Sequence, residues 1–171
     1  MNISTFMRVA AVVLIAALIF GWYKYRQPRF IVGDKAPDFE VMLADGEHAR
    51  LSDLKNKYVL LQFWGSWCGP CRAENPRLAA IYQEFSGLGF EIFSIGIEQT
   101  GRAWQQAIER DGLEWRYHAM EPGDFNGAIA SLYHIKAIPT TFLINPDGII
   151  IGVNLPPEQI KATLMQRLAD R

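Results

Sequence analysis

Phe63-Trp64-Gly65-Ser66-Trp67-Cys68-Gly69-Pro70-Cys71-Arg72 decides how the rest of the chain is read. Cys68 and Cys71 are the only cysteines among 171 residues. They stand where a continuous apolar run gives way to a helical pattern. That spacing lets two sulfurs on the first turn of one helix meet, so the pair can close into a disulfide and open again. A thiolate is the attacking species in such exchange. The unpaired amides and dipole of a helix start stabilise one at Cys68. Cys68 is therefore expected to be the exposed nucleophile. Cys71, one turn further in and more shielded, is expected to resolve the mixed disulfide. Pro70 fits the first turn, where its missing N–H costs nothing. Two blander readings compete. Half a zinc site needs further ligands, and the sequence holds no second cysteine pair and no close histidine pair. An inert disulfide closing so short a loop would constrain the unfolded chain very little.

Outward from this motif, strand and helix patterns alternate. Residues 39–43 suit a short strand before a turn at Asp45-Gly46. Residues 58–64 are apolar except for Gln62, as in a central strand buried on both faces. Leu78, Ile81, Tyr82 and Phe85 recur at helical spacing, and Pro76 is expected to kink that helix. Residues 90–97 form a second buried strand. Thr100 is a candidate N-cap for a helix carrying Trp104, Ala107 and Ile108. Residues 115–120 read as a strand. Phe125, Ala128, Ile129 and Leu132 form a helical stripe behind Asp124. Residues 140–144 and 149–153 flank Asn145-Pro146-Asp147-Gly148, a hairpin turn. Pro156 and Pro157 open a last helix with Ile160, Leu164 and Leu168 on one face. This order predicts an α/β fold with a mixed central sheet covered by helices on both faces.

The N-terminus reads differently. Residues 6–23 carry one charge, Arg8, and would span roughly 27 Å as a helix, close to a bilayer's hydrocarbon thickness. Small residues suited to signal cleavage, Ala16 and Ala17, fall too early, so an uncleaved transmembrane anchor is expected. Residues 1–30 are taken as anchor and linker, with residues 27–29 as the linker proper, and residues 31–171 as one domain. Lys24, Arg26 and Arg29 outnumber Arg8 and the terminal amine, which by count places the domain in the cytoplasm. Half the chain is apolar and its net charge is −1, with no basic run, so nucleic acid is not an expected partner.

The cysteine segment resembles the active site of the thioredoxin superfamily, and Ile138-Pro139-Thr140-Thr141-Phe142 resembles its cis-proline loop. Gly33-Asp34-Lys35-Ala36-Pro37-Asp38-Phe39 and Leu51-Ser52-Asp53-Leu54 are similar to the opening segment of the TlpA/ResA-like thiol-disulfide oxidoreductases, a bacterial branch that is membrane-anchored or secreted. The resemblance implies a thioredoxin-like domain outside the inner membrane, facing the periplasm or cell exterior, against the charge count. It implies protein disulfides as substrates, a membrane thiol-disulfide electron donor, and no cofactor or metal beyond the redox-active disulfide. Pro139 would lie beside that disulfide after a cis bond, which is nearly confined to proline. Ile138 would offer its backbone to an extended substrate. Trp67 would shape the docking face, and Gly69-Pro70 would tune the redox poise. Glu74 stands where an acid tunes cysteine acidity in the ResA-like branch. A glutamate in a first helical turn also favours the dipole. Gln62 replaces the buried aspartate of cytosolic thioredoxins and cannot exchange a proton at ordinary pH.

The expected activity is reduction of protein disulfides at the envelope membrane. Four alternatives stand beside it. An oxidase or isomerase would use the same dithiol. A cytochrome c maturation thioredoxin would normally carry a glutamate near the cis-proline, and residues 135–141 hold none. A copper-delivery factor could use both cysteines and His134. A peroxiredoxin-type peroxidase needs threonine or serine at the position of Gly65. His48, His118 and His134 are scattered, and His134 lies five residues before Pro139.

Overall fold

The computed structural model describes residues 3–26 and 29–169. In chain order the elements are α1 (Ile3–Arg26), β1 (Glu40–Met42), β2 (His48–Arg50), β3 (Tyr58–Trp64), α2 (Gly69–Phe85), β4 (Phe90–Ile97), α3 (Gly101–Asp111), β5 (Tyr117–Glu121), α4 (Ala128–Leu132), β6 (Thr140–Ile144), β7 (Ile150–Val153) and α5 (Pro157–Ala169). The central sheet has the order β5-β4-β3-β6-β7. β3 runs parallel to β4 and antiparallel to β6. Every residue of β3 and β4 is buried.

The period of two along β3 builds the two cores. Val59, Leu61 and Phe63 pack with Phe39, Leu43, Ile129 and Tyr133, on the face covered by α4 and the β1–β2 hairpin. Leu60 and Trp64 pack with Leu78, Ile81 and Phe85 of α2, Trp104 of α3 and Leu164 of α5. The sheet is thus mixed and covered by helices on both faces, as the pattern predicted. Its central strand ends at Trp64, which aims the chain directly into the cysteine motif.

Several local expectations need correction. The first strand finds a partner, β2, which no apolar alternation announced; Gly46, at φ +85°, makes the turn between them. β5 covers residues 117–121 rather than 115–120. The His118 amide turns back onto the Arg116 carbonyl, so ladder pairing starts at Tyr117 opposite Phe93. The stripe behind Asp124 is not one helix. Asp124, at φ +55°, opens a 3-10 turn, and α4 begins only after Gly127. There the Glu121 carboxylate accepts the Ile129 and Ala130 amides, the latter at 2.8 Å. A Cβ at Gly127 would lie 2.3 Å from the Glu121 side chain, so any larger residue would push that carboxylate off these amides. Leu132 is left 40% exposed and outside the core. Thr100 does occupy the N-cap of α3, but its side chain makes no capping bond. Pro76 lies inside α2.

α1 forms over the apolar N-terminal run, and its Val12, Leu14, Leu18 and Phe20 are exposed. Among the described residues no helix is long and apolar enough to cross a membrane. Residues 27 and 28 of the expected linker lie outside the described residues.

His118 is buried in the α3 side of the sheet. Its ring stacks on Trp115 at 5.1 Å, its Nε2 lies 3.1 Å from the Leu113 carbonyl, and among the described residues its Nδ1 has no hydrogen-bond partner. Burial pulls its pKa down from 6.5 to about 4, against the smaller upward pull of the Leu113 carbonyl. The unfolded chain therefore takes up a proton below pH 6.5 that the folded chain refuses until about pH 4. Stability from this residue is whole above pH 6.5 and falls by about 3 kcal/mol as pH drops to 4. Thermal unfolding across that window should show a shallower pH slope in His118→Gln than in the parent chain. Equal slopes would contradict the assignment.

Candidate active site

β3 hands over to α2 through Gly65, Ser66 and Trp67. Cys68 is the N-cap of α2, with extended backbone at φ −88°, ψ 101°, and its Sγ accepts the Cys71 amide at 3.3 Å. Pro70 sits in the first turn, and the Arg72 amide bonds the Cys68 carbonyl at 3.0 Å. Cys68 and Cys71 are joined as a disulfide.

Cys68 is not the exposed group expected. It is 4% exposed and Cys71 is fully buried. The order of access is as predicted, but both cysteines belong to the same core as Trp64 and Leu78. The exposed side chain at this corner is Trp67, at 59%. Its indole Nε1 donates to the Ile97 carbonyl at 2.9 Å, and its ring meets Phe125 edge-on at 6.5 Å. Gly65 is required by this approach. A Cβ there would lie 2.9 Å from the Trp67 Nε1 and 3.1 Å from Ile138 Cδ1. The threonine or serine of a peroxidase-type site would push the Trp67 indole off its place and crowd Ile138.

The Ile138–Pro139 bond is cis. Pairing of Phe63 with Thr140 sets this loop beside the end of β3, and Ile138 packs against the cysteine core. Glu74, one turn beyond Cys71, is half-buried and shares a cleft of about 140 Å³ with Pro139, Thr141 and Asn154. Burial pushes its pKa up; Arg77 opposes the shift and Glu158 adds to it. The structure therefore brings together Cys68, Cys71, Trp67, Gly69, Pro70, Ile138 and Pro139, with Glu74 on the Pro139 side. It leaves the other histidines out. His48 is exposed against Glu40, and His134 is exposed at φ +57°. Among the described residues, no three His, Cys, Asp or Glu groups gather as metal donors.

Sequence reading missed a buried polar chain behind the motif. Gln62 is fully buried; its Nε2 donates to Asn75 Oδ1 at 3.0 Å and its Oε1 accepts from Ser94 at 2.8 Å. Trp115 Nε1 donates to Ser94. Asn75 donates to Asp111 at 2.7 Å, and Asp111 holds the Arg72 guanidinium bidentately, at 2.5 and 2.6 Å. Arg72 also donates to the Ser66 carbonyl. The signal available was Asn75, a polar side chain one turn after Cys71 on the helix face that also carries Leu78. Glu98, at the end of the buried strand β4, gave none. It is 2% exposed and its carboxylate accepts both the Ser66 amide and, at 3.0 Å, the Ser66 hydroxyl.

Comparison with known proteins agrees with this geometry. The AhpC/TSA family matches residues 32–153. Thiol-disulfide oxidoreductase ResA of Oceanobacillus iheyensis is 36% identical over 143 residues, 80% of this chain and 72% of the relative. ResA of Bacillus thuringiensis is 31% identical over 150 residues, 88% of this chain and 84% of the relative. The thioredoxin domain of a thiol-disulfide oxidoreductase from Bacteroides vulgatus superposes with a TM-score of 0.75 at 29% identity, covering 81% of this chain and 99% of that domain. The chain belongs to the AhpC/TSA family, in its thioredoxin-like branch of ResA-type thiol-disulfide oxidoreductases.

Proposed function

We propose that this chain is a membrane-anchored thiol-disulfide oxidoreductase of the bacterial cell envelope that reduces protein disulfides through Cys68 and Cys71. The observation that carries the reading is a disulfide that caps a helix N-terminus beside a cis-proline. In the reduced chain, the Cys68 thiolate attacks one sulfur of a substrate disulfide. A Cys68–substrate bond forms, the substrate S–S bond breaks, and the released thiolate takes a proton from water. Cys71, ionised, then attacks the Cys68 sulfur. The Cys68–substrate bond breaks, the second substrate sulfur leaves as a thiolate and takes a proton from water, and the Cys68–Cys71 disulfide remains. Two electrons and two protons from a membrane thiol-disulfide donor restore the dithiol. Trp67 and Ile138 form the docking face, and Pro139 holds the substrate segment against the sulfurs. Gly69-Pro70 matches thioredoxin, whose poise of about −270 mV is reducing. α1 supplies the anchor, and the 31–171 domain works outside the inner membrane. The close packing of Trp67 and Ile138 over Gly65 favours this reading over a peroxidase.

Reduction of a model protein disulfide, such as that of insulin, should fall at least about a thousandfold in Cys68→Ser, since the nucleophile is removed. Retained turnover would sink the proposal. Glu74 raises the pH needed to ionise the neighbouring dithiol, because its charge opposes a thiolate. The acid limb of the reduction profile should therefore move to lower pH in Glu74→Gln; an unmoved limb takes Glu74 out of the site. Orientation is read by a membrane-impermeant maleimide on intact cells, with and without a reducing pulse. Labelling without the pulse is the expected result. Labelling only after it would mean an external oxidised pair and an oxidase or isomerase. Labelling only after lysis would put the domain in the cytoplasm, as the flanking charges do.

A further inference from the structure

Glu98 is buried without a cation. Among the described residues it forms no ion pair, and its two partners are the amide and hydroxyl of Ser66. Burial pushes its pKa up, and the two Ser66 bonds pull it back. Isolated buried carboxylates are costly and concentrate where they serve a site. This one grips the residue that precedes Trp67 and Cys68. Ser66 is also held from the other side by Arg72 at 3.4 Å, and Trp67 is pinned to Ile97, the residue before Glu98. The stretch leading to the nucleophile is thus fixed to the end of β4 and to α2 at once.

Around Glu98 the neighbouring elements carry little compensating charge. It lines a cavity of about 540 Å³ with Ser66, Trp67, Thr100, Asp124 and Phe125. Asp124, from the turn before α4, is a second acid and bonds Gln99. Thr100 and Ala103 of the α3 start are neutral, and Arg102 beside them is exposed. Arg72 of α2 is taken by Asp111 of α3. Glu74 of α2 lines the separate cleft on the Pro139 side. A charge on Cys68 therefore arises next to a loop already bonded to an unneutralised carboxylate.

We propose that Glu98 is a positioning residue for thiol-disulfide exchange: it fixes Ser66 and, by its charge, sets the pH at which Cys68 becomes a nucleophile. The proposal rests on Cys68 being the attacking thiol. The two charges oppose each other in a desolvated corner, so each raises the other's titration point, and the effect is reciprocal. Removing the charge makes Cys68 more acidic, and removing only the Ser66 hydroxyl does not.

The test is the pH dependence of Cys68 alkylation in the reduced full chain in detergent, with iodoacetamide as probe. Glu98→Gln should lower the midpoint by about half a pH unit or more, roughly a threefold gain in thiolate on the acid side. Ser66→Ala keeps the charge and should leave the midpoint in place while slowing disulfide reduction severalfold. An unmoved midpoint in Glu98→Gln overturns the proposal, as does an equal shift in Ser66→Ala. Should Glu98→Gln fail to fold, carbon-13 titration of the Glu98 carboxyl in the unaltered chain decides. Its midpoint should be higher in the reduced than in the oxidised protein, and equal midpoints overturn the proposal. Alkylation reads the thiol alone, so a chain inactive toward protein disulfides would sink the reading above and leave this one standing.

Discussion

The first turn of a helix has amide hydrogens that no carbonyl of its own can reach. Here a sulfur takes one of them. The Cys71 amide points at Cys68 Sγ, and the rest of the structure serves to hold that arrangement at the end of a buried strand. β3 can end there only because both its faces are covered, with Phe63 in one core and Trp64 in the other. The same register brings Thr140 opposite Phe63, so the cis Ile138–Pro139 bond lies beside the sulfurs. Fold and site are one constraint seen at two scales.

Much of this was legible in the residues. Strands 58–64 and 90–97 matched their apolar runs because burial on both faces keeps nearly every position apolar, the few polar ones, such as Gln62 and Ser94, being buried and bonded to each other. The hairpin around Asn145 followed from turn chemistry: Asn145 Oδ1 accepts the Asp147 and Ile149 amides, and Gly148 supplies the left-handed residue at φ +81°. The Cys-Gly-Pro-Cys motif and Pro139 named each other. What failed did so for tertiary reasons. The Phe125–Leu132 stripe looked helical, yet Glu121, from a different element, dictates where α4 begins. Cys68 looked exposed from its helix-cap position, but the sheet core reaches up to it.

Polar burial was the least readable feature. Gln62 was noticed for the acid it replaces, and its actual role is to join β3 to α2 and β4 through Asn75 and Ser94. A neutral amide can donate and accept at once, which a carboxylate cannot. That lets one side chain satisfy both neighbours at the centre of the molecule. Acidity is moved to the margins of the motif: Glu74 toward Pro139, and Glu98 under Ser66. No local pattern marks Glu98, since the contact that gives it meaning spans 32 positions of sequence.

The central claim is that Cys68 attacks and Cys71 resolves. It is tested most directly by trapping: reduced Cys71→Ser is mixed with a protein disulfide, and the adduct is located by peptide mass spectrometry. The account predicts a stable mixed disulfide on Cys68, and little or none on Cys71 in the matching Cys68→Ser protein. Adducts forming on Cys71 while Cys68 stays free would contradict it.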